Sequence, residues 1–167
     1  MTEGRCNQDT PPAATAQWDK AEAEQLIARY VTVKGGLMAA LHGLQEAFGY
    51  VPTESYPLLA DGFNLSEAEV YGVKSFYHDF TSAPKGRHVI QVCQAESCQS
   101  RGSRALTHHI QNKLGITMGQ TSHNEHYTLE PVYCLGNCAV SPNITFDGKL
   151  HGRVSPDLFD HLLKKAT

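Results

Sequence analysis

Two short segments bounded by cysteines decide how this chain is interpreted: Cys93-Gln94-Ala95-Glu96-Ser97-Cys98 and, after 35 further residues, Cys134-Leu135-Gly136-Asn137-Cys138. The spacing within each segment lets one loop offer two thiolates to a small inorganic centre. Four thiolates are a typical ligand set for a structural zinc ion or for an iron–sulfur cluster. We therefore predict that Cys93, Cys98, Cys134 and Cys138 together bind a metal or a metal cluster.

The cysteine spacing favours an iron–sulfur cluster but leaves alternatives open. Zinc ribbons usually carry tighter Cys-x2-Cys knuckles, whereas Cys-x4-Cys begins the plant-type ferredoxin pattern, although that pattern continues differently from this one. A dithiol redox catalyst would need a Cys-x-x-Cys motif, which is absent, and would leave the second pair without a role. From the residues alone, a [2Fe–2S] cluster is preferred to a structural zinc ion, and zinc is preferred to plain buried or reactive cysteines.

Charge and hydropathy exclude several classes of partner. The 14 basic and 17 acidic side chains give a net charge of −3, so neither a nucleic-acid-binding surface nor a polybasic membrane-binding segment is indicated. No apolar run approaches the roughly 18 residues of a membrane-spanning helix, and residues 1–17 lack the apolar core of a signal peptide. We expect a cytoplasmic protein, in which thiols stay reduced. Cys6 lies in the polar tail and is interpreted as a bystander thiol.

The sequence shows no catalytic site of its own. It contains no dinucleotide-binding Gly-x-Gly-x-x-Gly, and neither a nucleophilic triad nor paired catalytic carboxylates can be argued from it. The nine histidines, including His108, His109, His123 and His126, are interpreted as structural or surface residues, because four cysteines already fill the ligand count of a cluster. These features favour an electron-carrying subunit over a complete enzyme.

Hydrophobic periodicity predicts an α+β chain with a disordered tail at 1–17, a helical bundle at 18–82 and an α/β domain at 83–167. The first helix begins at Asp19 and runs to about Val31, and the second covers residues 37–48 and stops at Gly49. A third runs over 53–60 and ends at Asp61-Gly62, and a fourth begins with a capping box at Ser66 and Glu69. The aromatic residues at 71–80 are interpreted as a packing ridge between the two halves of the chain, with a docking surface as the alternative.

The second domain shows a different pattern. Strands are predicted at 88–92, 116–118 and 127–133, where Pro131 indicates an edge or a bulge, and Asp147-Gly148 predicts a hairpin turn. Helices are predicted at 101–114 and after Ser155-Pro156. Cys98 lies near a helix N-terminus, which stabilises anionic sulfur, and Gly136 and Asn137 are residue types that tolerate positive φ in the second cysteine loop.

These motifs together resemble a known family. Residues 37–42, 45, 48–52, 69–73 and 76–77, with both cysteine segments, resemble the 24-kilodalton subunit family of respiratory complex I, and the resemblance covers about residues 20–165. Within that family, residues 76–80, 93–98 and 132–138 look most like the gamma subunit of soluble, molybdenum-containing, NAD-dependent formate dehydrogenases. The corresponding subunit of bidirectional NAD-linked hydrogenases is the next most similar.

The resemblance implies a helical bundle followed by a thioredoxin-like domain that holds one [2Fe–2S] cluster through Cys93, Cys98, Cys134 and Cys138. It also implies that flavin mononucleotide and NAD bind to a partner beta subunit, which would connect this chain to a molybdenum-containing alpha subunit. Pro142 is expected to follow a cis peptide bond. Two departures from the family pattern are Lys74-Ser75 before Phe76-Tyr77 and Ser141-Pro142-Asn143 after the last cysteine.

Overall fold

The computed structural model describes residues 17–166, and these form two compact units that divide between Pro84 and Lys85. This division falls two residues after the boundary predicted from the sequence. Residues 1–16, which include most of the predicted tail and Cys6, lie outside the described residues. Each unit has its own buried apolar core.

The first unit is helical, and its helix ends follow local capping chemistry. The Asp19 carboxylate accepts hydrogen bonds from two first-turn amides, and Gly49 ends the second helix at a φ of 80°. The predicted capping box is confirmed, because the Ser66 and Glu69 side chains each bond the other residue's backbone N–H. The elements are α1 (Lys20–Ala28), α2 (Gly36–Phe48), a 3-10 turn (Thr53–Ser55), α3 (Tyr56–Phe63) and α4 (Glu67–Phe76).

Two helix boundaries differ from the prediction. α1 ends at Ala28 instead of Val31, because the amides of Tyr30 and Val33 bond three residues back and form turns, although Tyr30 still packs on the core. α3 continues through Asp61-Gly62 to Phe63. A Cβ at Gly62 would meet the side chains of Ile27 and Val31 at 3.3 Å, so this glycine allows a close approach inside the helix and does not end it.

The aromatic residues at 71–80, in α4 and just after it, form a packing ridge only in part. Phe80 is buried in the core of the helical unit itself. Tyr71, Phe76 and Tyr77 are instead exposed, with Phe76 at 74%. Because α4 ends at Phe76, Tyr77 and Phe80 do not continue its apolar stripe. The docking alternative therefore fits three of these four aromatics better than core packing does.

The second unit is a mixed five-stranded sheet with helices, in the strand order β2-β3-β1-β4-β5. β1 and β3 are parallel, and the other neighbouring strands are antiparallel. The elements are β1 (His88–Cys93), α5 (Glu96–Ser100), α6 (Ser103–Leu114), β2 (Gln120–Thr121), β3 (Tyr127–Val132), a 3-10 turn (Cys138–Val140), β4 (Ile144–Phe146), β5 (Lys149–His151) and α7 (Pro156–Ala166). The α+β fold class is thus confirmed, with a mixed sheet and its helices in the second unit.

Three details of the sheet unit differ from the prediction. The short strand predicted at 116–118 lies instead at Gln120–Thr121, since the chain turns after Ile116. The separate helix α5, which contains Cys98, was not predicted, and α6 begins two residues later than expected. β3 is not an edge strand. Pro131 is tolerated because β2 pairs only with Thr128 and Leu129 and leaves the amide side of the strand open at the proline.

Several local predictions in this unit are confirmed. Asp147 and Gly148 have φ values of 50° and 77° and form the turn between β4 and β5. The Ser155 hydroxyl accepts a hydrogen bond from the Leu158 amide at the start of α7. The peptide bond between Ser141 and Pro142 is cis, as the resemblance implied. None of the helices within residues 17–166 has the length and apolar character needed to cross a bilayer.

Candidate metal-cluster site

The first cysteine pair lies where β1 passes into α5. Cys93 is the last residue of β1, and Cys98 is the third residue of α5. Both are buried, at 1% exposure. The Ser103 hydroxyl donates to the Cys93 carbonyl at 2.6 Å and so ties the end of the strand to the start of α6. The first pair is therefore held by regular structure on both sides.

The second pair lies in a tight loop two residues beyond β3. Cys134 and Gly136 both have positive φ, 96° and 75°, and this bends the loop so that the Sγ atoms of Cys134 and Cys138 lie 3.6 Å apart. The prediction of positive φ is confirmed at Gly136. It is wrong for Asn137, whose φ is −111°, because the left-handed position falls on Cys134 instead. Both cysteines are exposed.

Sheet topology brings the two pairs together. β1 and β3 are parallel neighbours, with Cys93 opposite Val132, so both cysteine loops leave from the same edge of the sheet. The Ser97 hydroxyl in α5 donates to the Cys138 carbonyl at 3.2 Å. The Ser141 hydroxyl lies 3.0 Å from that of Ser97 and 3.4 Å from Cys98 Sγ. These contacts connect the first loop directly to the second.

The electrostatics of the thiols show that all four influence one another. The hydrogen bond and the charge of Cys134, followed by burial and the charges of Cys98 and Cys93, raise the pKa of the Cys138 thiol. Burial opposes ionisation of Cys98, but hydrogen bonds from Ser141, Cys93 and Asn143 outweigh it and lower the pKa of that thiol. Four thiolates this close repel one another, and a bound cationic centre would relieve the repulsion.

The donor set fits a two-iron cluster. Two thiolates at 2.3 Å from one tetrahedral metal are about 3.8 Å apart, close to the 3.6 Å between Cys134 and Cys138. Cys93 and Cys98 form a second pair joined by a thiol hydrogen bond. Within residues 17–166, no three His, Cys, Asp or Glu side chains are grouped closely enough to hold one metal ion. Two pairs of thiolates match the ligand number of a [2Fe–2S] centre, in which two irons share four ligands.

Two residues of the site were noticed in the sequence only as departures from a family pattern. Asn143 is 1% exposed, and its amide donates to Cys98 Sγ at 3.6 Å and to the Asn137 carbonyl at 2.8 Å. Ser141 contacts both Ser97 and Cys98. The sequence signal for both residues was a polar side chain three to five positions after Cys138, because a buried hydroxyl or amide needs a hydrogen-bond partner. Two of the histidines, His88 and His109, pair with Asp147 and Asp160.

The fold and the site define a thioredoxin-like α+β protein with four converging cysteines. A family model, the thioredoxin-like [2Fe–2S] ferredoxin, matches residues 23–167. The chain belongs to this family, whose members carry one [2Fe–2S] cluster, and it is an iron–sulfur electron-transfer protein.

Its relatives are subunits of oxidoreductase complexes. The chain is 34% identical to the HndA subunit of the NADP-reducing hydrogenase of Solidesulfovibrio fructosivorans, over 81% of this chain and 79% of that one. It is 33% identical to the E subunit of the NADH-quinone oxidoreductase of Pseudomonas aeruginosa, over 89% and 90%. The crystal structure of an NAD⁺-reducing [NiFe]-hydrogenase in the air-oxidised state matches with a TM-score of 0.67 at 25% identity. That match covers 78% of this chain but only 22% of the hydrogenase chain.

Proposed function

We propose that this chain is the electron-transfer subunit of an NAD(P)-linked oxidoreductase complex, and that Cys93, Cys98, Cys134 and Cys138 hold its one [2Fe–2S] cluster. The observation that carries the proposal is the placement of two thiol pairs at one edge of the sheet, where Ser141 and Asn143 each contact Cys98 Sγ on one side and a backbone carbonyl of the second cysteine loop on the other. Flavin and NAD bind to a partner subunit in this proposal. The chain itself supplies no catalytic site.

The class of complex is argued from the relatives. Their names describe an NADP-reducing hydrogenase, an NADH-quinone oxidoreductase and an NAD⁺-reducing hydrogenase, which favour a hydrogenase or NADH dehydrogenase for this chain. The narrower candidate is a formate dehydrogenase with a molybdenum-containing subunit. It rests only on the sequence likeness of residues 76–80, 93–98 and 132–138, so its support is weaker.

The residues around the thiols have a defined role in this proposal. A [2Fe–2S] cluster supplies one-electron transfer when bound. The Gly136 amide donates to Cys134 Sγ at 3.4 Å, and the Asn143 side chain donates to Cys98 Sγ. Such N–H donors stabilise negative sulfur and so make the addition of an electron easier.

Exposure indicates how a partner approaches. Cys134 and Cys138 are exposed, and the adjoining Tyr133 is 76% exposed, so one side of the site is open to another protein. Separately, the helical unit exposes Tyr71, Phe76 and Tyr77, and aromatic residues are enriched in protein interfaces. These surfaces suit docking to a flavin-binding subunit. We place the complex in the cytoplasm, where cysteine ligands remain reduced.

The ligand assignment is tested by iron content and spectroscopy. Anaerobically purified protein is expected to contain about two irons per chain, to bleach with dithionite and to give the EPR signal of a single reduced [2Fe–2S] centre. Cys93→Ser, Cys98→Ser, Cys134→Ser and Cys138→Ser should each lose iron or alter that signal, whereas the control Cys6→Ser should match the wild type. A colourless wild-type protein with one stoichiometric zinc would overturn the proposal, and so would four variants with unchanged spectra.

The partner assignment is tested by purifying the tagged chain from its own cells and identifying bound proteins and metals. A flavin-binding subunit is expected in every version of the proposal. Nickel with a hydrogenase subunit, or quinone-linked membrane subunits, would support the favoured classes. Molybdenum with formate-dependent NAD reduction would support the narrower candidate instead. Recovery of the chain with no flavoprotein, under conditions that keep the iron bound, would contradict the partner assignment.

A further inference from the structure

A groove in the sheet unit lies beside the cysteine site and is not used by the proposed electron transfer. Its volume is about 330 Å³, and it is lined by the start of α6, the start of α7 and the Ser141-Pro142 peptide. Arg101 and Arg153 are among its lining residues. A groove of this volume lies in the range of small-molecule sites in proteins and exceeds what a single inorganic anion fills.

The charge of the two arginines is uncompensated. In the described part of the chain, neither guanidinium forms an ion pair or a hydrogen bond, and both side chains are exposed, as is that of Arg87. By contrast, Arg104, in the first turn of α6, donates twice to the Gln99 side chain. Asp157, next to the groove residue Pro156, also forms no ion pair. The groove therefore contains two free guanidinium groups that can bind an anion.

The rest of the lining is largely apolar. Ala105 and the rings of Pro142 and Pro156 are the lining residues with accessible apolar surface, and the buried Leu106 and Val154 lie beneath them. Apolar surface in a groove that two cations line suits a ligand with one anionic group and a flat or apolar body. Two guanidinium forks offer more donors than one carboxylate can accept, and a phosphate has three terminal oxygens to receive them.

We propose that this groove binds a phosphorylated small molecule, with Arg101 and Arg153 on the phosphate and the body of the ligand against Ala105, Pro142 and Pro156. The proposal does not depend on the cluster or on a partner, because every group in it belongs to this chain. It assigns a role to two arginines that the electron-transfer function leaves without one.

Calorimetric titration of the full-length chain tests the site, with AMP as the probe and with inorganic phosphate and adenosine as its two parts. AMP is expected to bind more tightly than inorganic phosphate, adenosine should bind weakly or not at all, and added salt should weaken AMP binding. Arg101→Gln and Arg153→Gln should each weaken AMP binding about tenfold or more, because a charge-assisted hydrogen bond is lost. Arg87→Gln is the matched control and should stay within about twofold of the wild type.

Several outcomes would overturn the site. These are no AMP binding by the wild type at millimolar concentration, equal binding of adenosine and AMP, or equal losses in Arg87→Gln and the groove variants. Circular dichroism of each variant checks that it is folded. Arg101→Lys and Arg153→Lys keep the positive charge but lose the forked guanidinium, and they should bind AMP with intermediate affinity. Iron content measured on the same samples separates a failure of this proposal from a failure of the cluster assignment.

Discussion

Cys98 differs from the other three cysteines in how many protein groups contact its sulfur. The Ser141 hydroxyl and the Asn143 side chain both lie within hydrogen-bond distance of Cys98 Sγ, and these contacts lower the thiol pKa despite burial. Cys134 is exposed, and its Sγ accepts a hydrogen bond from the Gly136 amide in the same loop. The chain thus stabilises negative charge on both pairs, through side chains on one and through backbone on the other.

Asn143→Ala should lower the reduction potential of the cluster. The substitution removes one N–H donor to Cys98 Sγ and keeps the sulfur. The reduced cluster, which carries more negative charge, is then less stabilised, so the reduction potential should fall on the order of tens of millivolts. The measurement is a potentiometric titration followed by EPR, and Asn112→Ala on the exposed face of α6 is the control. An unchanged or raised potential in a variant that still holds two irons would contradict this role for Asn143.

Lys74 is a buried amine with little compensation. It is 7% exposed, its ammonium donates to the Ser82 hydroxyl and, among the described residues, forms no ion pair, and burial lowers its pKa. Lys74→Met should therefore raise the free energy of unfolding by about 1 kcal/mol, since the thioether fills similar space without a charge to desolvate. Chemical denaturation measures the change, with the exposed Lys34→Met expected to stay within about 0.5 kcal/mol of the wild type.

The pH dependence of Lys74→Met gives an independent check. A lysine whose folded-state pKa is lowered binds fewer protons in the folded state than in the unfolded state. Between that lowered pKa and the ordinary value of 10.5, wild-type stability consequently rises with pH relative to the variant. A difference between the two proteins that does not shrink as the pH rises would show that burial of this charge is not the cause.

At the scale of the elements, the turn before α7 supports the second cysteine loop. A Cβ at Gly152 would meet Val140 Cγ2 at 2.6 Å, Asn137 Nδ2 at 3.0 Å and Asn143 Oδ1 at 3.1 Å. The Asn137 and Asn143 side chains are themselves bonded at 3.1 Å, beside Cys138. This glycine permits a close contact that positions the loop.

Gly152→Ala should loosen the cluster site. The added methyl group pushes on the contact between the two asparagines, with an expected cost of about 1–3 kcal/mol and faster loss of iron to a chelator. Gly72→Ala is the matched control, because its Cβ would meet nothing within 4 Å, and it should leave iron release unchanged. If both variants release iron at the wild-type rate, the contact at Gly152 does not support the loop.

Asp160 connects α7 to α6 through two donors on the other helix. His109 Nε2 lies 2.9 Å from one carboxylate oxygen, and Lys113 Nζ lies 2.9 Å from the other. Hydrogen bonds first from His109 and then from Lys113 hold the pKa of Asp160 below its ordinary value. Because the folded-state pKa is lowered, this connection stabilises the fold above the ordinary value of 3.8 and is lost as the pH falls through the lowered pKa.

Asp160→Asn should therefore reduce the loss of stability below about pH 4, with a modest loss at neutral pH as expected for a surface ion pair. Denaturation curves across the acid range measure the effect. Adding Lys113→Met to Asp160→Asn should change the acid limb no further, because the two residues act through the same contact. If the effects of the two substitutions on stability at low pH add, the contact between Asp160 and Lys113 is not the cause of the acid-induced loss of stability.

The sequence predicted elements well where local chemistry determines them. Caps at Asp19, Ser66 and Ser155, and the turn at Asp147-Gly148, appear as expected because each depends on a few neighbouring residues. The failures depend on contacts distant in sequence. Gly62 remains inside α3 because Ile27 and Val31 pack on it, and Pro131 is tolerated because β2 is too short to reach it.

The site divides in the same way. The spacing selects all four cysteines as ligands, which stays a prediction, and the position of both loops at one sheet edge follows from the parallel pairing of β1 with β3, which periodicity alone does not give. The left-handed φ of Cys134 could not be foreseen, since cysteine rarely adopts it and the neighbouring Gly136 and Asn137 were the better candidates. The contacts of Ser141 and Asn143 depend on tertiary structure in the same way.

At the scale of the whole molecule, the predicted functional features are divided between the two units. All four predicted ligands and the arginine groove lie in the second unit, whereas three of the exposed aromatic residues lie in the helical unit. Each unit also has a separate core, formed around residues such as Leu41 and Phe48 in one and Ile90 and Phe159 in the other. This division suggests that cluster binding is a property of the second unit alone.

A fragment of residues 85–167 should therefore bind the cluster without the helical unit. A domain of this size buries a small core and is marginally stable by itself, but a ligand that binds only the folded state adds its binding free energy to stability. If the cluster contributes even about 2 kcal/mol, its removal should lower the melting temperature by roughly 8–16 °C. After anaerobic reconstitution, the fragment should match the full chain in iron content and visible circular dichroism. A fragment that stays colourless while the full chain takes up iron would show that the helical unit is needed to form the site.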